Sequence, residues 1–201
     1  ALANAKKQKE REFLESLRKL APDVIITCAY GQILSDAFLA IPGRATINIH
    51  PSLLPQYRGA TPVQSALLDG REETGVTVLF TVKALDAGNI IVQKTFPILL
   101  QETAGELTRR LLDHSCPMLI DALEKLEDKS FSGTPQDETN VTLCRKIQKE
   151  DGEIHWQDSK KTIENRFRAF HPWPGSFTFL GDKRIIVSVM MASDRPGGAV
   201  P

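Results

Sequence analysis

Cysteine is scarce: Cys28, Cys116 and Cys144 are the only three in 201 residues, and they lie far apart with no CxxC pair. That odd, scattered set argues against a disulfide framework or a zinc knuckle and points to a reducing compartment. Net charge is lacking too, since 25 Lys and Arg meet 25 Asp and Glu, so no overall field draws the chain to nucleic acid. Apolar runs reach only strand length, as in Val24 to Ala29, far short of the roughly 18 residues that span a bilayer. His114, His155 and His171 have no Cys or carboxylate partners at ligand spacing, so no metal is expected. There is no internal repeat, no low-complexity segment and no GxGxxG turn after a strand, which sets aside solenoids and nicotinamide dehydrogenases.

What is present is ordinary globular material, 41% hydrophobic and 25% charged. At about 150 residues per domain the length allows one domain and a fraction. Residues 1–143 hold 15 basic and 18 acidic side chains, whereas 144–201 hold 10 and 7. A solvated surface is the simpler explanation of that excess, and phosphate contact the sharper one. The chain opens on Ala1 with a helical pattern under way and closes on Arg195-Pro-Gly-Gly-Ala-Val-Pro201, which predicts a piece of a longer chain.

Phe13, Leu17 and Leu20 predict an amphipathic helix over 3–20. Val24 to Tyr30 reads as a strand buried on both faces, and a short helix starts at Ser35. Thr46 to His50 alternates as a strand that Pro51 stops. A proline-bracketed loop, 51–62, leads to a short helix over 63–68, then to strands over 75–82 and 90–98. Thr103-Ala-Gly-Glu106 is a capping box for a helix running toward Lys125, with a kink expected at Pro117. Alternating strands and helices predict an α/β layer fold with a mostly parallel sheet. Residues 131–143 read as a linker. A mostly β unit then begins, with a helix over 162–170 and a hairpin of 176–180 and 184–190 about Gly181-Asp182-Lys183.

Asn48 and His50 are two apart on one strand, so both side chains leave the same face at its carboxyl end, where open α/β sheets bind ligands. A carboxamide beside an imidazole suits a developing oxyanion. Asp86 follows the strand over 75–82 and reaches the same sheet edge if the strands are parallel. Each has a plain alternative: Asn48 as a loop tie, His50 as a satisfied half-buried side chain, Asp86 as a turn former before Gly88. The loop Pro51-Ser-Leu-Leu-Pro-Gln-Tyr-Arg-Gly59 has fixed backbone and apolar Leu53 and Leu54, with Arg58 able to reach an anion. Such a loop suits a flat, partly apolar ligand with an acidic tail.

These residues resemble a known family. Asn48-Ile-His-Pro-Ser-Leu-Leu-Pro-Gln-Tyr-Arg-Gly-Ala-Thr-Pro62, Thr74-Gly-Val-Thr77 and Leu85-Asp-Ala-Gly88 are similar to the core signature of formyltransferases that use 10-formyltetrahydrofolate. Arg145-Lys-Ile-Gln-Lys-Glu-Asp-Gly-Glu-Ile-His-Trp156 and Arg168-Ala-Phe-His-Pro-Trp-Pro-Gly175 resemble the carboxyl-terminal domain of the branch acting on methionyl-tRNA. The resemblance implies a Rossmann-like catalytic domain over 1–130 without its first strands, a linker over 131–143, and the start of an OB-like tRNA-binding domain over 144–201. It implies catalytic Asn48, His50 and Asp86, folate contacts from Ser52, Leu53, Leu54 and Pro55, and a pterin wall from Tyr30 to Leu34. Formyl transfer from 10-formyltetrahydrofolate to initiator methionyl-tRNA would follow, with Lys146, Lys149, Lys160, Lys161 and Arg166 toward phosphates; Trp173 is read from the sequence as core packing against the linker, with base stacking as the alternative. The same resemblance implies a full-length monomer, without a membrane partner, in bacterial cytoplasm or an organelle matrix. Two alternatives stay open: formylation of another amine such as an amino-sugar nucleotide, and an inactive folate- or tRNA-binding remnant.

Overall fold

A computed structural model describes the backbone of residues 2–191 and the side chains of residues 10–191. The terminal stretch from Arg195 noted above lies outside the described residues. Helix α1 (Leu2–Lys19) leads into strand β1 (Val24–Cys28), helix α2 (Asp36–Leu39) and strand β2 (Ala45–His50). A two-residue strand β3 (Arg58–Gly59) precedes helix α3 (Pro62–Leu68), strands β4 (Glu73–Phe80) and β5 (Ile90–Pro97), and helix α4 (Ala104–Glu127). Strand β6 (Leu143–Cys144), helix α5 (Lys160–Ala169) and the hairpin β7 (Ser176–Leu180) and β8 (Lys183–Val187) follow.

The main sheet runs β1-β2-β4-β5. The architecture is α/β as expected; within this sheet the parallel pair is β1 with β2, and a second parallel pair, β3 with β6, forms a small separate sheet. Strands β4 and β5 run antiparallel to their neighbours, and for β5 chain length explains why. A parallel return needs a crossover of a dozen or more residues that travels back along the sheet. The loop 81–89 between β4 and β5 has only nine residues. Between β4 and β5 there is no helix at all. Strand β1 is an edge strand, not one buried on both faces, and Ile26 is 42% exposed.

Helix α4 covers the sheet. Its stripe Leu107, Leu111, Met118, Ala122 and Leu126 is buried with Ile47, Val76, Val78, Ile91 and Phe96. Spacings of four residues, with one seven-residue gap, put those side chains on one helix face. The expected capping box is formed: Glu106 N–H donates to Thr103 Oγ1 at 3.4 Å and Thr103 N–H to Glu106 Oε2 at 2.9 Å. The helix continues through Pro117. Beyond its far end Arg44 donates to the carbonyls of Leu126, Asp128 and Phe131 at 3.1, 3.0 and 2.7 Å, satisfying acceptors that a helix terminus leaves open. Among the described side chains of α1 the buried one is Leu14, while Phe13 stacks on Phe38 and Leu20, just beyond the helix, lies exposed.

Residues 144–191 rest on the first part of the chain. Ile147, Ala169 and Phe170 join the same core, Gly105 N–H donates to His171 O at 3.2 Å, and α5 packs on α3. The hairpin turns on Gly181, whose φ of +57° suits glycine, and it ends at Val187. Trp173, expected in the core, is 53% exposed. Residues 131–143, expected as a linker, lie along the end of the sheet: Thr134 exchanges two 2.8 Å backbone hydrogen bonds with Ile90, and Phe131 lies 6.4 Å from Phe80.

Candidate active site

Strand β2 supplies Asn48 and His50 on one face, as the period of two requires. In register beside Asn48 on β1 stands Thr27. The Thr27 hydroxyl is 2.9 Å from Asn48 Oδ1 and 3.2 Å from the Ile47 carbonyl. This contact commits the carboxamide oxygen, leaving the amide nitrogen without a protein partner among the described residues. Asn48 therefore presents a donor, which is what charge developing on a substrate oxygen needs.

His50 is buried, and each ring nitrogen faces an acceptor. Nε2 lies 2.9 Å from the Tyr57 carbonyl, and Nδ1 lies 3.6 Å from Asp86 Oδ2. A carbonyl cannot donate, so Nε2 carries hydrogen in the neutral ring and the Nδ1 lone pair faces a carboxylate. Protonation would give both nitrogens a matched acceptor, but burial opposes it. Burial lowers the His50 pKa below its ordinary 6.5, while Asp86 and the Tyr57 carbonyl pull upward and only partly offset it. The site is a neutral imidazole beside a carboxylate, with a proton's place prepared between them.

Both partners of His50 sit on constrained backbone. Tyr57 has φ +61° and Asp86 has φ +48°, values that a residue with a Cβ adopts only at a cost. Tyr57 is tied down at three points. Its N–H donates to Thr142 Oγ1 at 2.8 Å, its hydroxyl donates to Asp69 Oδ2 at 2.7 Å, and Arg71 Nε donates to that hydroxyl at 2.8 Å. Asp86 Oδ2 accepts from Gly59 N–H at 2.9 Å, a contact that needs close backbone approach. A Cβ at Gly59, where φ is +123°, would meet the Cys144 carbonyl at 2.5 Å, and one at Gly88 would run into the Phe80 carbonyl.

Because β4 is antiparallel to β2, the loop after it starts beside Thr46 rather than beside His50. The expected meeting at a shared parallel edge is replaced by a loop, 81–89, that folds back to bring Asp86 to His50. The three polar residues singled out in the sequence are thus placed by one strand, β2, and a returning loop. The formyl transferase family pattern covers residues 1–123, and that of the formyl transferase C-terminal domain covers 146–199.

The chain belongs to the formyl transferase family. The methionyl-tRNA formyltransferase of Moorella thermoacetica is 41% identical over 177 residues, which cover 88% of this chain and 57% of that one. This formyl transferase chain spans about three fifths of the length of the curated relatives it matches. HypX from Aquifex aeolicus, solved in complex with tetrahydrofolic acid, superposes with a TM-score of 0.73 at 26% identity over 86% of this chain and 30% of its own. The methionyl-tRNA formyltransferase of Clostridium thermocellum shares the fold, with a TM-score of 0.74 at 18% identity over 90% of this chain and 77% of its own.

Within this formyl transferase chain the Ser52 to Pro55 segment divides by face. Ser52 and Leu54 are buried: Ser52 Oγ donates to the Gln56 carbonyl at 2.7 Å, and Leu54 N–H donates to Thr77 Oγ1 at 3.3 Å. Leu53 and Pro55 are half-buried and keep accessible surface. Tyr30 and Ile33 are exposed, 46% and 91%. Arg58, expected to reach an anion, is buried and occupied. Its Nε and Nη2 donate to Gln136 Oε1 at 3.0 and 2.8 Å, and its Nη2 pairs with Glu138 at 2.7 Å. Five residues of the surrounding framework escaped sequence analysis: Thr27, Tyr57, Gln136, Thr142 and Cys144. Thr27 left a signal, a hydroxyl within an apolar strand run. Gln136 left none, being one polar residue among many. Among the described residues no three His, Cys, Asp or Glu side chains are grouped to hold a metal ion, and no helix is long and apolar enough to cross a membrane.

Proposed function

We propose that this chain carries the formyl-transfer centre of an enzyme that moves the formyl group of 10-formyltetrahydrofolate to the amino group of initiator methionyl-tRNA. The observation that carries the proposal is the Asn48 carboxamide, oxygen held by Thr27 and amide nitrogen without a partner among the described residues, on the same strand face as the buried His50, which pairs with Asp86 of the returning loop. Support also comes from relatives named methionyl-tRNA formyltransferase at 38–41% identity. The donor set fits a formyl group: an amide N–H for its oxygen, and half-buried Leu53 and Pro55 as apolar surface for the folate. When bound, the folate supplies an activated one-carbon unit on N10.

The balance of the reaction assigns the residues' work. A bond forms between the methionyl nitrogen and the formyl carbon, the bond from that carbon to N10 breaks, and one proton passes from the amine to N10. Asn48 donates to the formyl oxygen as negative charge develops there. His50 takes up the amine proton at Nδ1 by way of the Asp86 carboxylate that this nitrogen faces, and Asp86 then offsets the positive charge the ring carries. The same imidazolium returns the proton to N10. Neutral His50 before attack suits a base, and the adjacent carboxylate suits the cation that follows.

On this reading residues 1–130 form the catalytic domain, 131–143 the connection and 144–201 the domain that meets tRNA, in bacterial cytoplasm or an organelle matrix. Lys146, Lys149, Lys161 and Trp173 are exposed there and suit phosphate and base contacts. Arg166 is turned inward to the carbonyls of Asp151 and Glu153. The test is formylation by the full chain with 10-formyltetrahydrofolate and either methionyl-tRNA or a nucleotide-linked amino sugar. Formyl-methionyl-tRNA as the product supports the proposal. Sugar formylation alone, or folate binding without transfer to either amine, overturns it.

A further inference from the structure

The segment between the two family matches crosses the site and joins its parts. Arg58 N–H donates to the Thr142 carbonyl at 2.9 Å, Thr61 Oγ1 donates to the Arg145 carbonyl at 2.6 Å, and the Cys144 thiol lies 3.4 Å from the Tyr57 carbonyl that His50 also uses. At its centre is Gln136. The amide oxygen accepts two bonds from Arg58, and the amide nitrogen donates to the carbonyls of Asp86 and Gly88 at 2.7 and 2.8 Å. A guanidinium only donates and a carbonyl only accepts, so one orientation alone satisfies all four bonds. No other natural side chain of this length has both an acceptor and two donors at its end.

We propose that Gln136 is a positioning residue for formyl transfer, a cross-link that holds the Asp86 loop against the Arg58 loop and so fixes the Asp86 carboxylate beside His50. This rests on the function proposed above. Asp86 stands at φ +48° in a loop whose residues 82–85 are exposed, so the loop's own packing does little to keep it there. The two bonds from Gln136 fall on the carbonyl of Asp86 itself and on that of Gly88. Arg58 is the neighbour of Tyr57, whose carbonyl meets the other ring nitrogen of His50. One amide thereby sets both acceptors of the imidazole. The charged or titratable groups around it are Asp86, the Cys144 thiol, Arg58 and Glu138.

The test uses the full chain with Gln136→Met, which keeps length and removes all four bonds, and Gln136→Glu. The glutamate keeps the acceptor for Arg58 and sets a carboxylate oxygen against two carbonyls. Two readouts are taken: the His50 titration by NMR of labelled imidazole, and the split of kcat from KM. Released from Gln136, Asp86 moves away and the His50 titration midpoint falls. In addition, kcat drops by at least about 10-fold while KM for the folate stays within about twofold. Asn140→Ala, in the same segment, leaves both unchanged. If Gln136→Met does not fold, Gln136→Glu carries the test. An unmoved titration in a folded variant overturns the proposal, as does a moved titration with unchanged kcat. A wild-type chain that transfers no formyl group but whose His50 titration responds to Gln136 leaves the cross-link standing and removes the function instead.

Discussion

At the scale of residues, the candidate site is a matter of which atom faces which. The Asn48 amide is useful as a donor only because Thr27 occupies its oxygen. Thr27→Val should lower kcat about 2- to 10-fold, the worth of one orienting hydrogen bond of roughly 0.5–1.5 kcal/mol. Asn48→Ala should cost at least about 100-fold, as loss of an oxyanion donor does. Steady-state kinetics on folded variants decides both, and equal losses would mean that Thr27 does more than orient. His50 makes a separate prediction about pH. Burial lowers its folded pKa below the ordinary 6.5, so an unfolded chain takes up the proton first. Stability from this group is complete above about pH 6.5 and falls as pH drops toward the lower folded value. Melting temperatures of wild type and His50→Gln between pH 5 and 8 should diverge in that direction, and parallel curves would contradict a buried neutral ring.

Among elements, α4 fixes the sheet on which the site is built. Leu111 is 1% exposed in the centre of its buried stripe, so Leu111→Ala should destabilise the chain by about 2–5 kcal/mol through lost transfer energy and a residual cavity. Urea denaturation measures it, and a loss under 1 kcal/mol would show that the stripe closes over the gap. Helix α4 was legible from its capping box and periodicity, and β2 from its alternation and terminal proline. Strand direction was not. The loop of about seven residues between the expected strands 75–82 and 90–98 was already too short for a parallel crossover, and the alternation of strands and helices outweighed that signal.

For the molecule as a whole, the region after Cys144 is joined to the rest by core packing and is pinned within itself by a charge pair. Arg145 makes a two-point contact with Asp151 at 2.7 and 2.6 Å. The Arg145 bonds come first in lowering the Asp151 carboxyl from an ordinary 3.8 to about 2, against some desolvation. A lowered carboxylate stabilises above its unfolded value, so this contribution should disappear as pH falls from about 3.8 through about 2. Asp151→Asn should therefore narrow its stability gap from wild type across that window. A gap that stays constant to pH 2 would show that the pair does not couple to folding.

Sequence alone determined the α/β class, the family and most element positions, and it singled out the three polar residues of the candidate site, because each depends on local pattern or a contiguous motif. Asn48 and His50 share a face by strand periodicity. Tertiary structure decided the rest. The antiparallel course of β4, the return of the 81–89 loop to His50, the inward turn of Arg58 and the passage of 131–144 across the site all depend on contacts between distant residues. Arg58 illustrates the reason. In the sequence it is a free cation in a loop, and only when Gln136 and Glu138 arrive from nearly 80 residues away does its charge become part of the frame rather than part of a ligand site.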